Sequence, residues 1–468
     1  MDGDMEKFSL ETVGKDRYWS IYYWCSIDDW ARSRLVSKQL KKLAEHPEVL
    51  QRVFALVGGD PSEKLTPDKY KKLIFKRLRF AHWLDNPNAK GLVADRAFNL
   101  NGSDCTPPEG RQGGMSKTLS LQSAGLPHSL LTWGFAADGI GSIYIWNTKS
   151  HDLLRIKNGS CGWVAYQLEG EPRVANVTKN CKHNSVTVYV YNPAEGSLIA
   201  YQPLEVDGNV SSLHSRIQLH YIYTESNGKE QPSLLLQITI PNAINADGYQ
   251  VRGTGSDTVV ILNADTLKEV NRHKFKLEYG CQFTVHNNQL LKLTKGGKLC
   301  PIDLKTGDLE APVATDVNYM RSVQAGDRSF LILWRRGKPT EVFGRGETNL
   351  SKKLRTTPVQ GGRWGNHYYL IFWPLFLNIN PVTIWRDDGE ISTLEDGIDG
   401  FFRDSNGKDT LSIREYGNYQ TIVPLPDGLA VCTRDTQPTV LRAQPPTDRK
   451  LITQIKQKAI EFTQLFWG

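Results

Sequence analysis

The chain has no Cys-x-x-Cys pair, no apolar run of membrane-spanning length and no hydrolase, kinase or nucleotide-loop signature in its 468 residues. Each absence removes a class of function. The seven cysteines (Cys25, Cys105, Cys161, Cys181, Cys281, Cys300 and Cys432) are odd in number and widely scattered. That excludes a local zinc ribbon and fits a reducing compartment. The longest apolar stretch, YYLIFWPLFLNI at 368–379, is too short to cross a bilayer and carries a proline, so it reads as a buried strand and loop. The opening MDGDMEKFSL is acidic and has no apolar segment, which predicts no secretory signal and a cytoplasmic or nuclear location. The motifs G-x-x-x-x-G-K-[ST], H-E-x-x-H and G-x-S-x-G are missing, so no catalytic residue, cofactor or metal is expected. Arg252-Gly253-Thr254-Gly255 is glycine-rich but no helical pattern follows it, and Cys181-Lys182-His183 has nothing nearby to complete a metal site. Both read as loops.

A concentrated basic face is also absent. The net charge of +7 permits acidic partners without implying nucleic acid. The densest positive run, Lys69, Lys71, Lys72, Lys76, Arg77 and Arg79, is interleaved with Phe75, Phe80 and Trp83. A solvated outer helix face accounts for it. Paired carboxylates at Asp28-Asp29 and Asp387-Asp388 are placed in turns, where capping is their ordinary role.

What is present divides into two periodicities. Residues 1 to about 100 carry apolar positions at helical spacing: Trp30, Leu35, Val36, Leu40 and Leu43, then Val49, Leu50, Val53 and Phe54. His46-Pro47 interrupts the pattern, and Pro47 with Glu48 suits the start of a new helix. A further helix is predicted over 66–84, with Thr66 capping it ahead of Pro67. The stretch 101–118 is polar and rich in Gly, Pro and Ser, a flexible loop.

Beyond residue 119 short β-branched runs alternate with turns, and 12 Trp, 18 Tyr and 40 Gly in the whole chain fit a β-rich protein. A strand–turn–strand unit recurs as SIYIWNTKSHDLL (142–154), TVYVYNPAEGSLI (187–199), TVVILNADTLKEV (258–270), KLCPIDLKTGDLE (298–310) and VTIWRDDGEIS (382–392), with a looser copy FLILWRRGKPTEV (330–342). Asn147, Asn192, Asn263 and Asp303 occupy the same place in their copies. These residues hydrogen-bond their own turn and tolerate left-handed backbone. A period of roughly 40–50 residues built from short strands is the signature of a β-propeller. The span 119–446 predicts six to eight blades, centred on seven. The long interval between 187 and 258 contains SNGKEQPS, an inserted loop or a degenerate repeat. A pair of β-sandwiches is the other all-β reading. Trp146-Asn147 stands where an orthodox WD repeat has Trp-Asp, so "WD-like" describes the copies. A C-terminal amphipathic helix is predicted over 447–468, with Ile452, Ile455, Ala459, Phe462 and Phe466 as its stripe, packed on the rest of the chain.

Asp28-Asp29-Trp30-Ala31-Arg32-Ser33-Arg34-Leu35-Val36-Ser37-Lys38-Gln39-Leu40, followed by His46-Pro47-Glu48-Val49-Leu50, resembles the second half of an F-box. The family's usual Leu-Pro opening is replaced by the aromatic FSLETVGKDRYWSIYYW at 8–24. The resemblance implies a small all-α F-box-like domain at 1–60, a helical linker at 61–100, and docking to a Skp-family adaptor and through it a cullin. Trp24, Ile27, Trp30, Leu35, Val36 and Leu40 are the adaptor-facing candidates. The propeller would then hold a substrate protein, phosphorylated or acidic, as part of a ubiquitin ligase. Arg335-Arg336-Gly337-Lys338 at a predicted hairpin tip, with Arg345 and Arg363 at other turns, would bind it if they converge. Two other readings stand beside this one. A propeller scaffold could have a head that binds a different partner. An enzyme would need convergent carboxylates or histidines in the central funnel.

Overall fold

The computed structural model describes residues 27–57, 63–85, 92–94 and, between intervening loops, 117–443. The expected C-terminal helix, residues 101–116, the segment 8–24 with Trp24, and Arg345 lie outside the described residues.

Four helices come first: α1 (Ile27–Val36), α2 (Lys38–Ala44), α3 (Pro47–Leu56) and α4 (Pro67–Asp85). The stripe expected to run unbroken from Asp28 to Leu43 is split at Ser37. That residue sits at φ −150°, ψ 159°, and its Oγ accepts the Leu40 amide at 3.1 Å. A serine hydroxyl that satisfies a first-turn N–H begins a new helix instead of continuing the old one. Asp28-Asp29, read as a turn, lies inside α1. α3 opens at Pro47 with Glu48 in its first turn and buries Val49, Leu50, Val53 and Phe54. These pack with Trp30, Ala44, Val57, Tyr70 and Ile74 into one small core.

The rest is antiparallel sheet, ordered simply along the chain. Sheet 1 comprises Lys117–Ser120, Ser129–Phe135, Gly141–Asn147 and Leu153–Ile156, and sheet 2 comprises Gly162–Leu168, Glu171–Asn180, Ser185–Tyr191 and Leu198–Glu205. Sheet 3 comprises Arg216–Ser226, Lys229–Pro241, Gly255–Asn263 and Glu269–Lys276, and sheet 4 comprises Gln282–His286, Gln289–Leu293 and Leu299–Pro301. Sheet 5 comprises Tyr319–Ala325, Arg328–Trp334, Thr340–Gly344 and Glu347–Ser351, and sheet 6 comprises Pro358–Trp364, His367–Phe372, Val382–Arg386 and Ile391–Leu394. Sheet 7 comprises Thr421–Leu425, Gly428–Cys432 and Thr439–Ala443, completed by Leu92–Ala94 pairing against Thr439–Ala443. The stretch 61–100, read as helical linker, thus contains a strand of the last sheet.

Sheets 1 to 5 each have an apolar core on both faces, which is why third strands there read as near-continuous β-branched runs. Gly255–Asn263, for instance, is buried from Asp257 to Leu262. Leu131, Ile143 and Ile145 of sheet 1 meet Ala165 and Val174 of sheet 2. Val186 and Val188 meet Leu234, Leu236 and Val260 of sheet 3. Further cores join sheets 3 and 4 through Leu235 and Leu290, 4 and 5 through Leu291 and Leu331, and 5 and 6 through Phe330 and Leu370. The Trp364 indole donates to the Leu425 carbonyl at 2.8 Å, tying sheet 6 to sheet 7. Leu130, Tyr144 and Trp146 of sheet 1 pack on Val423, Leu425 and Val440 of sheet 7. The chain is mainly β, a β-propeller preceded by a small helical region, and seven sheets lie among its described residues.

Five of the sequence copies mark the turn from third to fourth strand, or its remnant in sheet 4. The looser copy, FLILWRRGKPTEV, spans the second and third strands of sheet 5 instead. The long interval before 258 is filled by the long first hairpin of sheet 3, whose strands have 11 and 13 residues, together with loops outside the described residues. In the turns, Asn147 Oδ1 accepts the Lys149 and Ser150 amides, Asn192 Oδ1 that of Ala194, and Asp303 Oδ1 that of Lys305. Asn263 Oδ1 takes the amides of Asp265 and Thr266 and the Thr266 hydroxyl. The left-handed residue falls four positions later, at Gly196, Leu267 and Gly307. Leu267 holds φ 57° while buried in the core between sheets 2 and 3. Asn263→Ala is expected to lower stability by about 1–2 kcal/mol, because the turn then loses the side-chain acceptor of Asp265 and Thr266 and keeps only backbone bonds to hold a leucine in that conformation. Thermal denaturation against the parent chain checks this.

Candidate functional site

The helical head shows which of its apolar residues are available. Trp30 is fully buried, and its indole donates to the Ala44 carbonyl at 2.8 Å. It holds α1 to the end of α2 and is covered from outside by Arg34, whose guanidinium lies 5.0 Å from the Trp30 ring and 4.9 Å from that of Phe75. Arg34 is fixed by Glu45 at 2.8 Å, and Glu45 also meets Lys71 of α4 at 3.2 Å. Burial opposes the Glu45 charge, but the two cations outweigh it and hold the carboxyl below its ordinary value. Leu35 is 53% exposed, and Leu40 is half-buried. Ile27 and Val36 lie within α1. Of the adaptor candidates, then, Trp30 belongs to the head's own core and Leu35 faces outward.

α4 belongs to both halves of the molecule. Its 19 residues span about 28 Å at 1.5 Å per residue. Tyr70 and Ile74 sit in the head core, with Tyr70 edge-on to Phe54 at 5.5 Å. Further along, Phe80 meets Trp364 edge-on at 5.3 Å. At the C-terminal end, Asp85 accepts from the Tyr369 hydroxyl at 3.0 Å and from Arg386 at 2.8 Å, and its carbonyl accepts from Ser392 at 2.7 Å. The basic run of α4 is therefore more than a solvated face. Lys71 is paired with Glu45 and Asp68. Arg77 is 1% exposed, donates to the Val57 carbonyl at 3.2 Å and lies 4.8 Å from the Phe54 ring. Burial drags the Arg77 pKa down to about 10, and the charges of Asp427 and Glu63 resist that. Asp427, 4% exposed, forms an ion pair with Arg442. Lys149 reaches back to Glu63 at 2.5 Å. Sequence reasoning singled out neither Asp427, in a hairpin turn, nor Asp85, at a helix end, nor Arg442, within a strand, since none has a motif around it.

In an antiparallel sheet, the turns after strands one and three lie at one end and the turn after strand two at the other. The head rests on the first end, where Asp427, Lys149, Trp364 and the Asp387-Asp388 turn are found. Asp387 there accepts from His367 at 2.9 Å and faces Arg328 at 3.8 Å. Arg363 is on this same side, its guanidinium 5.5 Å from the Tyr368 ring. Arg335 and Arg336 lie in the turn after the second strand of sheet 5, at the opposite end. The structure keeps Arg335 and Arg336 together and places Arg363 away from them.

At that far end, Arg335, Arg336 and Lys338 line an open depression of roughly 590 Å³ together with Leu293, Thr294, Lys295, Gly296, Gly297, Asp316, Val317 and Asn318. The hairpin turn of sheet 4 forms one wall and that of sheet 5 the other. The intervening loop stitches them together: Val317 donates to the Gly297 carbonyl at 2.9 Å, and the Asn318 side chain accepts the Arg336 amide at 2.6 Å. Arg335 is ion-paired with Glu341. Among the described residues, no group of three or more His, Cys, Asp or Glu side chains is placed to hold a metal, and no helix is long and apolar enough to cross a membrane.

No protein-family model matches the chain, and no curated protein matches it. Solved structures with a similar course include Pyrococcus horikoshii acylaminoacyl peptidase, at 11% identity and TM-score 0.43 over 74% of this chain, which spans 54% of the peptidase. The Cps50 (Swd1) β-propeller domain of Myceliophteria thermophila is similar at 12% identity and TM-score 0.41, over 72% of this chain and 98% of that one. The β-propeller domain of the trilobed protease from Pyrococcus furiosus gives 13% identity and TM-score 0.37, over 60% and 82%. Likenesses this remote say nothing of activity.

Proposed function

We propose that the chain is a substrate-recognition subunit of a cullin-based ubiquitin ligase, without catalytic residues of its own, acting in the cytoplasm or nucleus. The helical head docks a Skp-family adaptor, and the propeller presents a bound protein on the side facing away from the head. The observation that supports this most is the shared helix α4, packed into the head core at Tyr70 and Ile74 and anchored to sheet 6 at Asp85. A receptor of this kind gains by holding its cargo at a fixed distance, which turns a bimolecular transfer into an effectively intramolecular one. Leu35 supplies an outward apolar contact, of the sort an adaptor interface needs.

Leu35→Asp in the full chain is expected to abolish co-purification with a Skp-family adaptor while the melting temperature stays within a few degrees of the parent. An adaptor that never co-purifies with the parent chain sinks the reading. The burial of Trp30 within the head favours the second reading, a propeller scaffold whose head binds another partner. Mass spectrometry of proteins held by the parent but not by Leu35→Asp separates the two.

A further inference from the structure

We infer that the depression between the Thr294–Lys298 and Arg335–Lys338 turns binds an extended protein segment through clustered anionic oxygens, carboxylate or phosphoryl. This rests on reading the propeller as the partner-binding half, and it does not depend on which adaptor the head takes.

The charge count decides the sign of the ligand. Lys295, Arg336 and Lys338 line the site, and among the described residues none of their side chains has a carboxylate partner. Arg335 is neutralised by Glu341, yet its buried Nε has no hydrogen-bond partner. Asp316 is the only carboxylate in the lining. Three uncompensated cations against one anion favour a ligand carrying two or more negative charges in a short span. The walls are already in place, because backbone bonds from Val317 to Gly297 and from Asn318 to Trp334, at 2.9 and 2.8 Å, hold both turns to one loop. A prearranged site loses little to ordering when the ligand arrives.

The shape argues for peptide over nucleic acid. No aromatic ring lines the depression, so bases would find no stacking platform, the usual source of affinity for a single strand. The turns offer backbone amides and glycine-opened space at Gly296 and Gly297, where an added Cβ at Gly296 would meet nothing. An extended main chain can lie there. Asp316 sits at φ 59°, a conformation Asn accepts as readily as Asp. That makes its charge removable without disturbing the fold.

The test uses the purified full-length chain without adaptor and fluorescein-labelled peptides of one Gly-Ser framework. One peptide carries two phosphoserines, one carries glutamates at the same positions, and one carries glutamines. Fluorescence anisotropy should show the phosphoserine or glutamate peptide binding, the glutamine peptide failing, and affinity falling as salt rises from 50 to about 300 mM. Tighter binding of the phosphoserine peptide identifies phosphoryl oxygen as the source, and equal binding identifies general acidity. Arg336→Glu with Lys338→Glu should weaken binding by about tenfold or more. Asp316→Asn should tighten it by about threefold, as removal of one repelling surface charge implies. If the double variant does not fold, the Asp316→Asn result decides alone. Binding indifferent to these substitutions overturns the inference. So does a labelled single-stranded DNA of equal charge that binds as tightly as the peptide.

Discussion

Asp427→Ala is expected to destabilise the chain by about 3–5 kcal/mol, the usual cost of removing one partner from a buried ion pair. The effect follows from what the carboxylate faces. Asp427 is 4% exposed and paired with Arg442, and its charge also favours the ionised form of Arg77 on α4. Arg77 is buried beneath the head, where it donates to the Val57 carbonyl at 3.2 Å. Without Asp427, two guanidinium groups stay in a poorly hydrated joint without the carboxylate that balances them, although Arg442 keeps a contact to the Thr148 carbonyl at 3.3 Å. The joint should loosen before the sheets do, so protease cleavage between Asp85 and Leu92 should rise well ahead of the main thermal transition. Asp427→Leu combined with Arg442→Met should recover part of the loss, since a well-packed apolar pair can replace a buried ion pair. A loss under about 1 kcal/mol, with unchanged cleavage, would mean the joint does not depend on this charge.

The second large effect is with acid. Burial pushes His128, His220 and His286 down to about 4, against about 6.5 in an unfolded chain. Above 6.5 neither state is protonated and the folded state keeps its full advantage. Between 6.5 and 4 the unfolded chain takes up protons that the folded chain refuses, so stability falls as pH falls. A shift of this size is worth on the order of 3 kcal/mol per group at its limit. Burial opposes a charge on His128; the charge of Asp427 favours the protonated ring, and those of Arg77, Lys149 and Arg442 disfavour it. Protonating it adds a further positive charge to the joint. His220 has a buried Nε2 with no hydrogen-bond partner among the described residues. His286 is held by Ser329 at 3.0 Å and Asn287 at 3.1 Å. Urea midpoints measured at pH 7, 5.5 and 4.5 should decrease in that order. His128→Gln with His220→Gln should flatten the decline. A midpoint independent of pH over this range removes the idea.

Much of the architecture was legible in the residues. The third strands of sheets 1 to 3 announced themselves as β-branched runs because both faces of those sheets are buried. Asn147, Asn192, Asn263 and Asp303 were found in register because an Asx turn is a local device, complete within four residues. Pro47 opened its helix as its missing N–H dictates. Ser37 was harder, since its neighbours keep helical spacing on either side. Only the backbone shows that its hydroxyl caps a new helix instead of riding in the old one.

The functional surfaces divided differently. Arg335 and Arg336 were visible as a basic hairpin tip, and the structure adds Lys295, Asp316 and Asn318 from the neighbouring sheet and loop. Arg363 looked equivalent in the sequence and lies at the opposite end of its sheet. Composition and local pattern by themselves determined that this is a β-rich chain of repeating hairpins behind a helical head. Tertiary structure alone decided that Trp30 is core, that Arg77 is buried against Val57 and Phe54, and which cations share a wall. The reason is physical. Turn chemistry and strand alternation are settled within a few residues, whereas burial and charge neighbourhood are set by segments hundreds of residues apart, such as Asp85 and Arg386.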